Sequence, residues 1–193
     1  MHYIISIFLA ISWFTFWIYW FASGIKSKKN IGGIFNKWAM RELVIRLFIA
    51  LILLALYKPV LFRYHPFAHN NITHNIYEIL IGLLFYVSGI ALAIWARLHF
   101  AKNWGMPMTI KQNPELITSG PYRYVRHPIY SGILLALSGT AMAYSLSWLL
   151  VLLRVGMYFI VSAVVEEQNL RKLFPETYPE YMHHTKMLIP FIF

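Results

Sequence analysis

The chain has 193 residues, 59% of them apolar and only 12% charged, which excludes an ordinary water-soluble domain and leaves one compact membrane domain. Its net charge of +10 would suit nucleic acid, but most basic residues flank apolar runs, the placement that sets membrane orientation, so no nucleic-acid partner is expected. Cysteine is absent, which removes disulfides, thiolate metal sites and a thiol nucleophile.

Crossing about 30 Å of hydrocarbon takes roughly 20 helical residues. Five apolar stretches meet or approach that length: about 3–22, 42–61, 76–98, 128–144 and 147–166. The first lacks the basic start and small-residue cleavage site of a signal peptide and is expected to be a retained span. The fourth is short and is expected to begin a little before Pro128. Ser145, Leu146 and Ser147 break the last two into a tight helical hairpin. Backbone amides cannot stay unpaired in lipid, and the apolar runs do not alternate as barrel strands would. The expected fold is therefore all-α, a multi-pass membrane helix bundle with about five transmembrane helices.

Lys26, Lys28, Lys29, Lys37 and Arg41 follow the first run, Arg97, Lys102, Lys111, Arg123 and Arg126 the third, and Arg171, Lys172 and Lys186 the fifth; the other side has only Lys58 and Arg63. This bias places the N-terminus outside and the 99–127 loop and the C-terminal tail in the cytoplasm. Those two polar segments are expected to meet as a cytoplasmic pocket over the bundle, since loops of this length in compact domains are commonly functional.

Chemistry-bearing residues gather at that boundary. His127 and Pro128 stand where the fourth helix begins, proline being suited to a first turn, where its missing N–H costs nothing. A helix N-terminus can receive an anion, and Arg123 and Arg126 could add charge-assisted hydrogen bonds, or could simply anchor the chain to headgroups. Glu166 and Glu167 end the fifth run in a chain with seven acids and no aspartate. Successive helical positions lie about 100° apart, so at most one of them is expected to face inward, receiving a ligand ammonium or a donor such as Arg126. An acid at a helix C-terminus opposes the macrodipole, which favours a functional role over an exposed end.

Trp104, Tyr122, Tyr124 and Tyr130 on one segment, and Phe174, Tyr178 and Tyr181 on the other, could stack on an adenine or flank a cation, although aromatic belts occur in any membrane protein. The eight histidines lack ligand spacing with an acidic partner, so no metal is expected. Arg46 is placed to snorkel, and Arg154 is expected to pair with Glu78. There is no glycine-rich phosphate loop and no serine nucleophile elbow.

The run from Gly120 to Gly132, followed after a helical hairpin by Glu166, Glu167, Leu170, Phe174, Tyr178, Tyr181 and Pro190, resembles the isoprenylcysteine carboxyl methyltransferase family, integral membrane enzymes related to the phospholipid N-methyltransferases. The resemblance runs from Asn103 to the end, and a prokaryotic member is expected. It implies a single domain over 1–193, with two N-terminal membrane helices in 1–75 and a catalytic core in 76–193. It also implies S-adenosylmethionine as cofactor and S-adenosylhomocysteine as product, held by Leu116, Ile117, Tyr122, His127, Pro128, Ile129, Tyr130, Glu166, Glu167 and Tyr181.

The implied reaction is carboxyl O-methylation of a lipid-tailed acceptor such as an isoprenylcysteine, with Arg126, Glu166 and Arg171 as catalytic candidates and membrane lipids as partners. The family's arginine one turn before the glutamate is replaced by Ser162, and its glycine after the phenylalanine by Pro175. The first difference leaves open a phospholipid or other lipid amine as acceptor. An NADPH-dependent membrane reductase and a non-catalytic lipid-binding scaffold are the remaining readings.

Overall fold

The computed structural model describes residues 2–24, 30–33, 75–101, 109–111 and 113–192. The span expected at 42–61, Arg46 and Trp104 lie outside these residues. The described part is mostly helical: α1 (His2–Gly24), β1 (Asn30–Gly33), α2 (Ile76–Phe100), β2 (Thr109–Lys111), a 3-10 turn at Gly120–Arg123, α3 (Pro128–Ala143), α4 (Trp148–Leu173) and α5 (Thr177–His184). One feature was not anticipated. β1 and β2 pair antiparallel and tie the segment after α1 to the loop after α2.

Three described helices, α1, α2 and α4, are long and apolar enough to cross a membrane. α3 is not: 16 residues reach only about 24 Å. Nor does it start before Pro128, because Arg126 and His127 give their backbone N–H groups to the carbonyls of Lys186 and Met187 of the tail, and His127, with φ −124° and ψ 60°, is non-helical. The hairpin is as expected, with α3 ending at Ala143 and α4 opening at Trp148.

Buried positions on α2 fall at Ile79, Gly82, Tyr86, Gly89, Ala93 and Ala96, alternating steps of three and four, the period of a coiled-coil seam. α3 answers with Gly132, Ala136, Gly139 and Ala143. These small residues bring the two backbones into contact, which is how membrane helices gain packing without a hydrophobic driving force between them. A Cβ on Gly89 would lie 2.4 Å from the Ala136 nitrogen, and one on Gly139 would lie 2.3 Å from the Tyr86 nitrogen.

α1 packs its aromatic face on this pair. Trp13 Nε1 donates to Thr140 Oγ1 at 3.2 Å and the Tyr86 hydroxyl pairs with Ser12 Oγ at 2.7 Å. Farther along, Phe16 and Trp20 join Ala93, Tyr130, Ile133, Leu137, Phe159, Ala163 and Leu188 in one cluster directly beneath the polar end of the bundle.

The predicted Arg154–Glu78 pair is not formed. Both residues are exposed and no ion pair joins them among the described residues. Glu78 instead sits in the first turn of α2, where an acid favours the dipole.

Candidate functional site

The site begins with a backbone constraint. Gly120 has φ +59°, and a Cβ there would fall 2.2 Å from the His99 ring, so only glycine permits the turn against the end of α2. The 3-10 turn then buries Tyr122, whose ring stacks on Phe100 at 5.4 Å and whose hydroxyl reaches the Ala96 carbonyl at 3.4 Å. Burial holds its hydroxyl far above the usual phenol range. Tyr122 is thus turned to α2, and its contribution to the tail is its carbonyl, which accepts from the Tyr181 hydroxyl at 2.5 Å. Leu116 and Ile117 lie half-buried in the irregular stretch ahead of this turn.

The tail then closes the end of the bundle. Val125 bridges Lys186 in parallel, the two backbone bonds above follow, and Ser131 Oγ donates to the Leu188 carbonyl at 2.5 Å. Arg126 crosses between the segments. Its Nε donates to Glu167 Oε1 at 2.7 Å, and its Nη1 donates to the carbonyls of Thr185 and Met182.

His127 sits beneath, 8% exposed, with its ring between two carboxylates. Nδ1 lies 3.5 Å from Glu166 Oε2 and Nε2 lies 3.4 Å from Glu167 Oε1. Nε2 has no aligned hydrogen-bond partner, so the second contact is one of charge more than of hydrogen bonding. Burial alone would lower the imidazole pKa, but its contacts with the two glutamates outweigh that and raise it.

Both glutamates therefore take part, contrary to the expectation that one would turn away. The reason is that α4 runs on to Leu173, so the pair lies within the helix and its 100° divergence straddles one imidazole. Glu167 is buried, whereas the Glu166 side chain keeps 24% of its surface. Glu166 also accepts from the Tyr130 hydroxyl at 2.6 Å. His127, Tyr130 and Phe159 form a stack, with ring centroids 5.4 and 4.3 Å apart and nearly parallel planes. Phe159 was missed in the sequence, although it stands seven residues before Glu166 on the same helical face.

Pro128 occupies the first turn of α3 as expected. Ser131 N–H closes the first intrahelical bond onto His127, which leaves the amides of Ile129 and Tyr130 without an intrahelical acceptor. Ser162, fully buried, donates to the Tyr158 carbonyl at 2.8 Å. Arg171 is exposed and faces a groove beside α5 instead of the glutamates. Pro175 follows Phe174, whose φ −132° and ψ 66° mark the non-helical backbone expected before proline, so α4 stops there.

A family model described as phospholipid methyltransferase matches residues 77–177, just over half of the chain. No curated protein matches the sequence. Among solved structures, that of a eukaryotic intramembrane Ras methyltransferase, isoprenylcysteine carboxyl methyltransferase, aligns with a TM-score of 0.54 at 21% identity over 82% of this chain. The chain spans 55% of the length of that structure, a likeness of fold. With the matched region running from α2 to the start of α5 and holding the Arg-His-Pro run and both glutamates, this membrane protein belongs to the phospholipid methyltransferase family.

Proposed function

We propose that the chain is an S-adenosylmethionine-dependent methyltransferase acting at the membrane–water boundary on a lipid-tailed acceptor. The observation that carries this reading is the convergence of the Gly120–Gly132 run, the Glu166–Glu167 pair and the tail at one end of the bundle. The residues fit such a cofactor. Glu166 keeps an accessible carboxylate edge for an ammonium, and the first-turn amides of Ile129 and Tyr130 suit a carboxylate.

Bound there, the cofactor supplies an electrophilic methyl group. The protein's own part is alignment and exclusion of water, which can supply much of the barrier reduction for an in-line displacement. Tyr130 fixes one oxygen of Glu166, His127 balances the charge of both acids, and Tyr181 holds the tail over them. Leu116 and Ile117 are assigned to the nucleoside. From the charge bias, the N-terminus faces outside and the site and tail face the cytoplasm, with 76–193 as the catalytic core.

The acceptor chemistry follows from where the cations stand. A carboxylate nucleophile needs a positive group to align it, yet Ser162 replaces the family's arginine, Arg126 is committed to Glu167 and two carbonyls, and Arg171 faces the groove. A neutral lipid amine needs no such clamp, and the proton it loses after transfer passes to water at the boundary. The motif itself favours the second reading, carboxyl methylation of an isoprenylcysteine-like acceptor.

The test is incubation with cofactor labelled in its methyl group and membrane lipid, followed by mild alkali. Label that survives supports the amine, label released as methanol supports the ester, and no transfer with binding of NADPH but not S-adenosylhomocysteine overturns the methyltransferase reading.

A further inference from the structure

α5 carries a second face that the site does not use. Tyr178 and Tyr181 turn toward the bundle, whereas Pro179, Met182 and His183, about a third of a turn away, line a groove of about 350 Å³ together with Arg171 of α4. Arg171 and His183 are exposed, and no hydrogen bond or ion pair among the described residues occupies the Arg171 guanidinium. Glu180 does not line the groove.

Its depth in the membrane follows from the length of α4. Twenty-six residues make a helix of about 39 Å, against about 30 Å of hydrocarbon. Counting from Trp148, the hydrocarbon is filled at about Glu167, so Arg171 and Lys172 stand at the level of the headgroups. A guanidinium there, lining one groove with Met182 and Pro179, offers a bidentate donor to phosphate and an apolar surface to glycerol.

We propose that this groove seats the phosphate of an anionic phospholipid headgroup, with Arg171 as its principal contact. The site is independent of the acceptor and of the methyl-transfer reading. It also gives Arg171 a role other than catalysis.

The test titrates the full chain in detergent with dihexanoyl phosphatidylglycerol, alongside dihexanoyl phosphatidylcholine and inorganic phosphate. Saturable binding of phosphatidylglycerol is expected, weakened about fivefold or more in Arg171→Gln, as loss of one basic contact near a membrane surface implies. Met182→Glu, which puts a carboxylate on the floor, should weaken it as well and carries the test if Arg171→Gln fails to fold. Unchanged affinity in both variants overturns the site. Equal affinity for phosphatidylcholine overturns the anionic headgroup, and inorganic phosphate binding as tightly as the lipid assigns the groove to a free anion instead.

Discussion

Arg126 Nε and Glu167 Oε1 meet at 2.7 Å across 41 residues of sequence, with side chains only 9% and 6% exposed. Removing one member of a buried pair strands the other charge, at a typical cost of about 3–5 kcal/mol. Glu167→Ala should therefore lower the thermal midpoint in detergent sharply, and Arg126→Ala should do the same. The double substitution should cost less than the sum of the two. Additive effects would show that the pair is not energetically coupled.

His127 predicts a pH dependence. Its pKa is raised above 6.5 in the fold, so the imidazolium stabilises the native state fully below that value, and this contribution is lost as pH rises through the higher folded value. Thermal midpoints of the native chain should fall over that window relative to those of His127→Gln. Parallel curves for the two proteins would remove the imidazolium from the account.

Glu166 is the carboxylate left accessible, so it should matter for ligand binding more than for stability. Glu166→Ala should weaken S-adenosylhomocysteine binding by about tenfold or more, the loss expected for a hydrogen bond to a charged group. Calorimetry on folded protein checks this. Unchanged affinity would take Glu166 out of the cofactor site.

Tyr181→Phe deletes the hydroxyl that reaches the Tyr122 carbonyl, a bond whose loss should cost about 1 kcal/mol. Burial raises that hydroxyl's pKa to about 12, so it stays a donor throughout the neutral range. Hydrogen exchange at residues 185–188 should speed up in the variant while α2 and α3 remain protected. Uniform acceleration across all helices would instead mean global destabilisation.

The seam between α2 and α3 gives a paired prediction. Gly89→Ala forces its methyl into the Ala136 backbone and should destabilise by about 1–3 kcal/mol, the usual cost of overpacking. Gly156→Ala meets nothing closer than Leu134 Cδ2 at 3.8 Å and should be neutral or stabilising by up to about 1 kcal/mol through helix propensity. Midpoints of the two single variants decide it.

The apolar runs made α1, α2 and α4 legible in the sequence, whereas the shortness of the fourth run suggested a start before Pro128 that the tail pairing of Arg126 and His127 rules out. What could not be read was set by contacts distant along the chain. Glu166 and Glu167 resembled a helix end because polarity resumes there, but α4 continues to Leu173 on residues that suit headgroups, and both acids reach one ring. Arg126 reads equally as an anion receptor, a headgroup anchor or a donor to one of the glutamates, and nothing nearby in sequence shows that Glu167 and the Thr185 carbonyl will claim it. The tail pairing at Val125 and Lys186 has no local signature at all.

The backbone contact along Gly82, Gly89, Gly132 and Gly139 also decides where the molecule can yield. Two helices touching main chain to main chain behave as one beam, and an acyl chain cannot part them without breaking the whole seam at once. For the lipid-tailed acceptor proposed above, entry is then expected on the α4 flank, where Leu134, Tyr130 and Phe159 meet through side chains instead of backbone. A chemical staple from α2 to α3 should leave turnover intact, whereas one from α3 to α4 should stop it.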